Sequence, residues 1–274
     1  MRRRRTAPAA EGEGFLASIS DLMAALLFVF IATVLVFANR LRAAEARARE
    51  QEQRARQTNE QLEKERAKFD AEHRGVADAR RDLVALLFRN LQAKGLLGLE
   101  KTLDTDAAEQ GVLHLPEGAV SFSRGKYDFD GAQSVSNLAA VAQELANVLP
   151  CYAVSPRPTG DCPASSKTYK LEAMLFEGHT DSHPFMVNGT DLNLYLSTER
   201  AIQTYKTVIH RQPVLDDLRN ANHQKVLSVA GYGAERLLDS GTGPDADRNN
   251  RRIDLRFILT AMASADPTPK VTGP

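Results

Sequence analysis

Apolar positions dominate from Phe15 to Phe37, give way to a long tract of Ala, Arg, Glu and Gln, and then return as short runs of changing period. About 20 apolar residues, rising 1.5 Å each, cross the hydrocarbon of a bilayer, so the first run predicts a spanning helix. Its one ionisable side chain is Asp21. An acid inside lipid costs about 2.5–3.5 kcal/mol and by default faces a partner helix in a functional role. Two plainer readings compete. A cleaved signal peptide would use the basic Arg2 to Arg5, but the run outlasts an h-region of about 7–15 residues and carries an acid. A helix starting at Leu22 would leave Asp21 in water, but Leu22 to Phe37 is short for a span.

From Asn39 to about Ala79 the chain has no Pro and one Gly, and its residues are strong helix formers. One heptad row is apolar or small throughout: Leu41, Ala48, Ala55, Leu62, Phe69, Val76, Leu83. The second row that a coiled coil needs (Ala44, Gln51, Thr58, Glu65, Glu72) is mostly polar. This predicts a long charged helix with a thin seam, either a weak parallel dimer or a solvated linker laced by i,i+4 charge pairs. Leu83 to Leu99 is apolar again and is expected to cap or enter a folded domain.

From Gly111 strands and helices alternate. Val112, Leu113, Leu115 and then Val120, Phe122 read as strands around a Pro116-Glu117-Gly118 turn. Ala132 to Leu149 predicts a helix with Val135, Leu138, Val141, Ala142, Leu145, Val148 and Leu149 on one stripe. Leu171 to Gly178 reads as a strand. Leu196 to Ile209 reads as a helix with Ala201, Ile202, Tyr205 and Val208 inward, and Val226 to Gly231 and Ile253 to Leu259 as strands. The expected class is α+β, ending in a two-layer α/β sandwich. The expected divisions are a basic tail at 1–14, a transmembrane helix at 15–38, juxtamembrane and linker helices at 39–110, the sandwich at 111–260 and a frayed tail at 261–274.

Charge narrows the partners. Lys+Arg and Asp+Glu are 35 each, which gives no case for direct nucleic-acid binding. Arginines flank both ends of the span, Arg2 to Arg5 on one side and Arg40, Arg42, Arg47, Arg49, Arg54 and Arg56 on the other, so charge alone leaves the topology open. Cys151 and Cys162 bound a loop rich in Pro, Gly and Ser. In an exported domain they would form a disulfide worth about 3 kcal/mol; in a cytosolic loop they would be free thiols. His179-x-Asp181-x-His183 could ligate a metal, but it lies on a turn without a further nearby ligand, and no metal is expected. No nucleophile–base order or Gly-rich phosphate loop stands out, so no enzyme is expected.

Four pieces stand in a recognisable order: Phe176-Glu177-Gly178-His179-Thr180-Asp181, Asn193-x-x-Leu196-Ser197-x-x-Arg200-Ala201, Gly231-Tyr232-Gly233 and Asn250-Arg251-Arg252-Ile253-Asp254. Together with Val120-Ser121-Phe122, Gly125 and Phe129, they resemble the OmpA-like peptidoglycan-binding domain over about 112–260. The resemblance implies that Asp181 and Arg200 grip the ammonium and carboxylate of diaminopimelate in the stem peptide, chemistry that suits a carboxylate and a guanidinium fork. Asn193 and Leu196 would line the same groove, with Thr180 beside them; Asn250, Arg251 and Arg252 would chiefly support the fold, with one arginine, taken as Arg252, at the groove edge. The stretch from His183 to Asp191 is longer than the family pattern. Wall binding would put this domain in the periplasm and the N-terminus in the cytoplasm, and would let Cys151 and Cys162 oxidise.

The order of span and wall domain, with Asp21-Leu22-Met23-x-Ala25 and Phe28, resembles the MotB family of ion-driven stator subunits. Ser18-x-Ser20-Asp21-Leu22-Met23-x-x-Leu26-Leu27-x-x-Phe30, followed by a long charged helix, is similar to the ZorB-type subunits of Zorya anti-phage systems. These resemblances imply a single-pass inner-membrane homodimer within a ring of MotA/ZorA-like multi-span subunits, in contact with membrane lipid and peptidoglycan. They imply no cofactor beyond a proton translocated on Asp21. A flagellar-type motility stator, or a passive wall tether without ion flux, are the alternatives.

Overall fold

The computed structural model describes residues 11–96, 102–158 and 160–262, with side chains from Ile19 onward. The expected basic tail up to residue 10, the expected frayed tail from 263, and Leu97 to Leu99 lie outside them. The chain divides into two units, Met1–Phe69 and Asp70–Pro274.

In the first unit the described residues belong to helix α1 (Glu11–Ala93), which continues into the second. One helix among the described residues is long and apolar enough, by length and composition, to cross a membrane. Leu22, Phe28, Val34 and Phe37 are all exposed in the single chain, as is Asp21. A helix that is apolar all round calls for lipid or other protein about it. Farther along, Glu50–Arg54 and Glu52–Arg56 form the i,i+4 pairs of a solvated helix.

The second unit starts on the same helix. Ala79, Leu83, Val84, Leu87, Phe88 and Leu91 are buried in its hydrophobic core. Asn90 on this helix and Lys94 just past its end bind Glu144 of α3 (Ala132–Tyr152). The domain boundary expected at residue 111 is therefore corrected to about Asp70. One heptad row does two jobs: Leu41, Leu62 and Phe69 are exposed, whereas Val76 and Leu83 of that row pack against the core.

After α1 come α2 (Thr105–Glu109), β1 (Val112–Pro116), α3, β2 (Tyr169–Gly178), a small hairpin β3 (Met186–Val187) and β4 (Thr190–Asp191), α4 (Asn193–Arg211), β5 (Leu227–Gly231), α5 (Pro244–Asn250) and β6 (Arg252–Ala261). The main sheet runs β1-β6-β2-β5. β6 is antiparallel to β1 and β2, while β2 and β5 are parallel, as a β-α-β crossover through α4 requires. Helices α3 and α4 pack on each other and on the sheet, giving an α+β protein whose second unit is a two-layer sandwich. Met174, Phe176, Leu255 and Phe257 of the central strands meet Leu138, Leu145, Ala201 and Val208 in its core. The strand expected at Val120–Phe122 is instead a loop closed by a single bridge from Phe122 to Phe129. Cys151, at the end of α3, is disulfide-bonded to Cys162.

Two glycines set how deeply α4 can seat. Gly178 and Gly231 are register partners at the ends of β2 and β5. A Cβ on Gly178 would lie 2.0 Å from the Ser197 carbonyl oxygen, and one on Gly231 would lie 2.1 Å from Thr198 Oγ1. Without those methyls the first turns of α4 rest directly on the strand ends, and Gly233 N–H donates to Ser197 Oγ at 2.9 Å. That contact fixes where Asn193, Leu196 and Arg200 project.

Candidate functional site

The strand ends, the start of α4 and the α5–β6 junction surround an open cavity of about 610 Å³. Thr180, Asp181, Asn193, Leu196 and Arg200 all line it, together with Glu117, Phe122, Phe185, Asp247 and Arg251. Each reaches it for a local reason. β2 stops at Gly178, and Thr180 N–H then donates to Gly233 O at 2.9 Å, which turns Asp181 out of the sheet. Asp191 Oδ1 accepts from Phe185 N–H at 3.1 Å and Asn193 N–H at 3.0 Å, closing the long 183–191 segment onto the head of α4. Asn193 Nδ2 donates to His183 O at 2.8 Å, so this amide holds the rim in shape. Thr180 Oγ1 is buried and, among the described residues, has no hydrogen-bond partner.

Asp181 and Arg200 line one cavity but do not pair with each other. Arg200 Nε donates to Lys126 O at 3.0 Å, and its guanidinium carbon lies 5.1 Å from the Phe122 ring centroid. Burial pushes the Arg200 pKa down, and the Glu117 charge works against that. Asp181 Oδ2 accepts instead from Arg251 Nη1 at 2.6 Å. Arg251 also forks onto Glu117, with Nε and Nη2 at 2.6 and 2.8 Å. The Glu117 bonds come first in holding the Arg251 pKa well above its usual value.

The groove-edge arginine is thus Arg251, and the expectation for Arg252 is corrected. Arg252 is 5% exposed and turns inward, with Nε 3.0 Å from Asp254 Oδ1. Neighbouring residues of a strand point to opposite faces, so a shift of one position moves a side chain from cavity to interior. Arg252 reaches only a void of about 10 Å³ behind the groove.

Behind the groove lies a buried polar network that residue spacing alone did not reveal. Asp254, 2% exposed, lies 2.6 Å from His114 Nδ1. His179 Nε2 is 3.1 Å from the other Asp254 oxygen but not aligned for a hydrogen bond. Burial pushes the Asp254 carboxyl up, but the His114 bond, His179 and Arg252 override it and hold it well below the carboxylate range. Glu177, also buried, accepts from Arg256 Nε at 2.7 Å and from Tyr232 Oη at 3.3 Å.

The His179-x-Asp181-x-His183 trio splits between two clusters. His179 joins Glu177 and Asp254, whereas Asp181 and His183 join Asp247. These are the groups among the described residues whose geometry could hold a metal. In the first, Arg252 and Arg256 already neutralise the acids. The second sits on the rim, where His183 is exposed and its Nδ1 lies 3.3 Å from Asp247.

Asp21 lies on α1 in the first unit, within the apolar stretch. The opposed charges of Asp181 and Arg200, set on one open cavity and each held by neighbours, suit a ligand that carries both signs.

Several solved structures are similar to this chain at low identity. A putative MotB-like protein from Desulfovibrio vulgaris matches at 16% identity and a TM-score of 0.42, covering 70% of this chain and 98% of that one. The cell wall anchor of the T6SS from Pseudomonas aeruginosa matches at 14% identity and a TM-score of 0.40, covering 65% and 96%. The periplasmic domain of Helicobacter pylori MotB matches at 16% identity and a TM-score of 0.37, covering 57% and 78%. No protein-family model and no curated protein matches the chain.

Proposed function

We propose that this chain is the wall-anchoring subunit of a proton-driven, stator-type complex of the inner membrane, acting in anti-phage defence of the Zorya type. The apolar part of α1 crosses the membrane once with the N-terminus in the cytoplasm. The second unit lies in the periplasm, where Cys151 and Cys162 oxidise. Two copies stand inside a ring of multi-span partner subunits, and Asp21 takes up and releases a proton as the ring moves. Protonation removes a charge that is costly in lipid, and moving one charge through the membrane potential is worth about 2.3 kcal/mol per 100 mV. The groove holds the wall peptide, with Asp181 on its ammonium and Arg200 on its carboxylate.

The observation that carries the anchoring half is the convergence of Asp181 and Arg200 on one open cavity without a mutual ion pair. The ZorB-type pattern around Asp21 supports the motor half and the defence role.

Co-sedimentation of the detergent-solubilised full chain with purified diaminopimelate-type sacculi tests the anchoring. Asp181→Asn and Arg200→Ala are each expected to lower retention at least ten-fold, which corresponds to about 1.4 kcal/mol. Retention equal to wild type in both variants would sink the assignment of this groove.

A further inference from the structure

The acid that faces the ligand is already in contact with a cation, and that raises a problem of charge. A carboxylate neutralised by a neighbouring arginine attracts an ammonium poorly. Arg251 lies 2.6 Å from Asp181 Oδ2, so on that contact alone Asp181 would be spent. The chain supplies a third partner. Glu117 takes Arg251 through two parallel bonds of 2.6 and 2.8 Å, the stronger, fork-shaped mode, whereas Asp181 receives a single bond from Nη1. The three side chains together carry one net negative charge.

The backbone brings Glu117 there. The antiparallel register of β1 and β6 ends on the pair Pro116 and Arg252. The next residues outward, Glu117 and Arg251, therefore stand side by side where both strands leave the sheet. Ala119 and Val120 N–H groups both bond Pro116 O, which ties the turn carrying Glu117 to the end of β1. Asp181 Oδ1, the oxygen that Arg251 does not bind, accepts from His183 N–H at 3.1 Å. Glu117 is about as exposed as Arg251 and lines the cavity with it.

The geometry points to Glu117 as a positioning residue of this groove: by holding the guanidinium of Arg251, it keeps the negative charge of Asp181 free for the ammonium of the wall peptide. It touches no ligand itself in this role. Losing the Glu117 charge would let the Arg251 fork swing fully onto Asp181, and the groove would lose the anion that attracts the ammonium. The inference rests on the reading of the groove as a wall-peptide site.

The test uses the full chain in detergent, co-sedimented with purified diaminopimelate-type sacculi before and after acetylation of their free amines. Glu117→Gln is expected to lose about ten-fold in retention. Adding Arg251→Gln to it, which removes the competing cation, is expected to bring retention back to within about two-fold of wild type. On acetylated sacculi, wild type, Glu117→Gln and Asp181→Asn are expected to converge, because the ammonium is gone. A purely structural role for Glu117 would give no rescue and no convergence. Wild-type retention by Glu117→Gln, or a folded double variant no better than the single one, overturns the inference. Should Glu117→Gln fail to fold, Glu117→Asp carries the test: retention near wild type is expected, and a ten-fold loss overturns the inference. Equal retention of wild type and Asp181→Asn on untreated sacculi would instead defeat the groove reading itself.

Discussion

Asp254 sits behind the groove with His114 on one oxygen and His179 and Arg252 close by. Its carboxyl is held below the ordinary range, so its ionised form favours the folded state. That contribution is complete above the unfolded pKa of about 4 and fades as pH falls through the lower, folded value. Asp254→Asn is expected to cost about 3–5 kcal/mol at neutral pH, the price of breaking a buried pair. Chemical unfolding of both proteins between pH 7 and pH 2 should show that gap narrowing below about pH 4; a gap independent of pH would count against it. This network was hard to see in the sequence. His114 and Asp254 are 140 residues apart and meet only because β1 pairs with β6. Asp181, Asn193, Leu196 and Arg200 came from the motifs that carry the family resemblance, and the fold brings all four to one cavity. Glu117 and Arg251 were not, because their meeting depends on strand register.

Among the elements, α1 changes character along its length. Its charged middle is plain in the sequence, as i,i+4 pairs spell it out. Its entry into the core is less so, since the same heptad row runs from the exposed to the buried part. Leu87 is fully buried and Leu62 is 54% exposed. Leu87→Ala is expected to cost about 2–5 kcal/mol by leaving a cavity, whereas Leu62→Ala should leave the second unit's thermal transition in place. Differential scanning calorimetry of the two variants distinguishes them, and equal transitions would show that the last turns of α1 do not belong to the core. The apolar pair Val120 and Phe122 predicts a strand where the chain forms a loop. Those side chains pack inward from a turn, with the Phe122 and Phe129 rings 5.1 Å apart, and that needs no ladder.

Across the whole molecule, a lone acid in an apolar helix and a two-sign groove occur on one chain. The motor and tether readings differ in what Asp21 does. Asp21→Asn in cells carrying the partner subunits is expected to abolish phage protection while membrane abundance and sacculus binding stay at wild-type levels. Plaque counts and membrane fractionation read the outcome. Full protection by Asp21→Asn would leave a passive tether. The class was legible because a long apolar helix, a charged helix and alternating short elements differ in hydrophobic period. The return of apolar residues at Leu83 announced contact with the folded domain; that the helix supplies part of its core from Ala79 on was not legible, because Ala79 to Leu91 continues the helical pattern unbroken.

That continuity bears on how the protein is dissected. A soluble fragment cut at residue 111 would begin with a strand and lack Leu83, Leu87, Phe88 and Leu91. The surfaces those side chains cover would then be bare, and such a fragment would be prone to clump. A fragment that starts at Asp70 keeps its own roof.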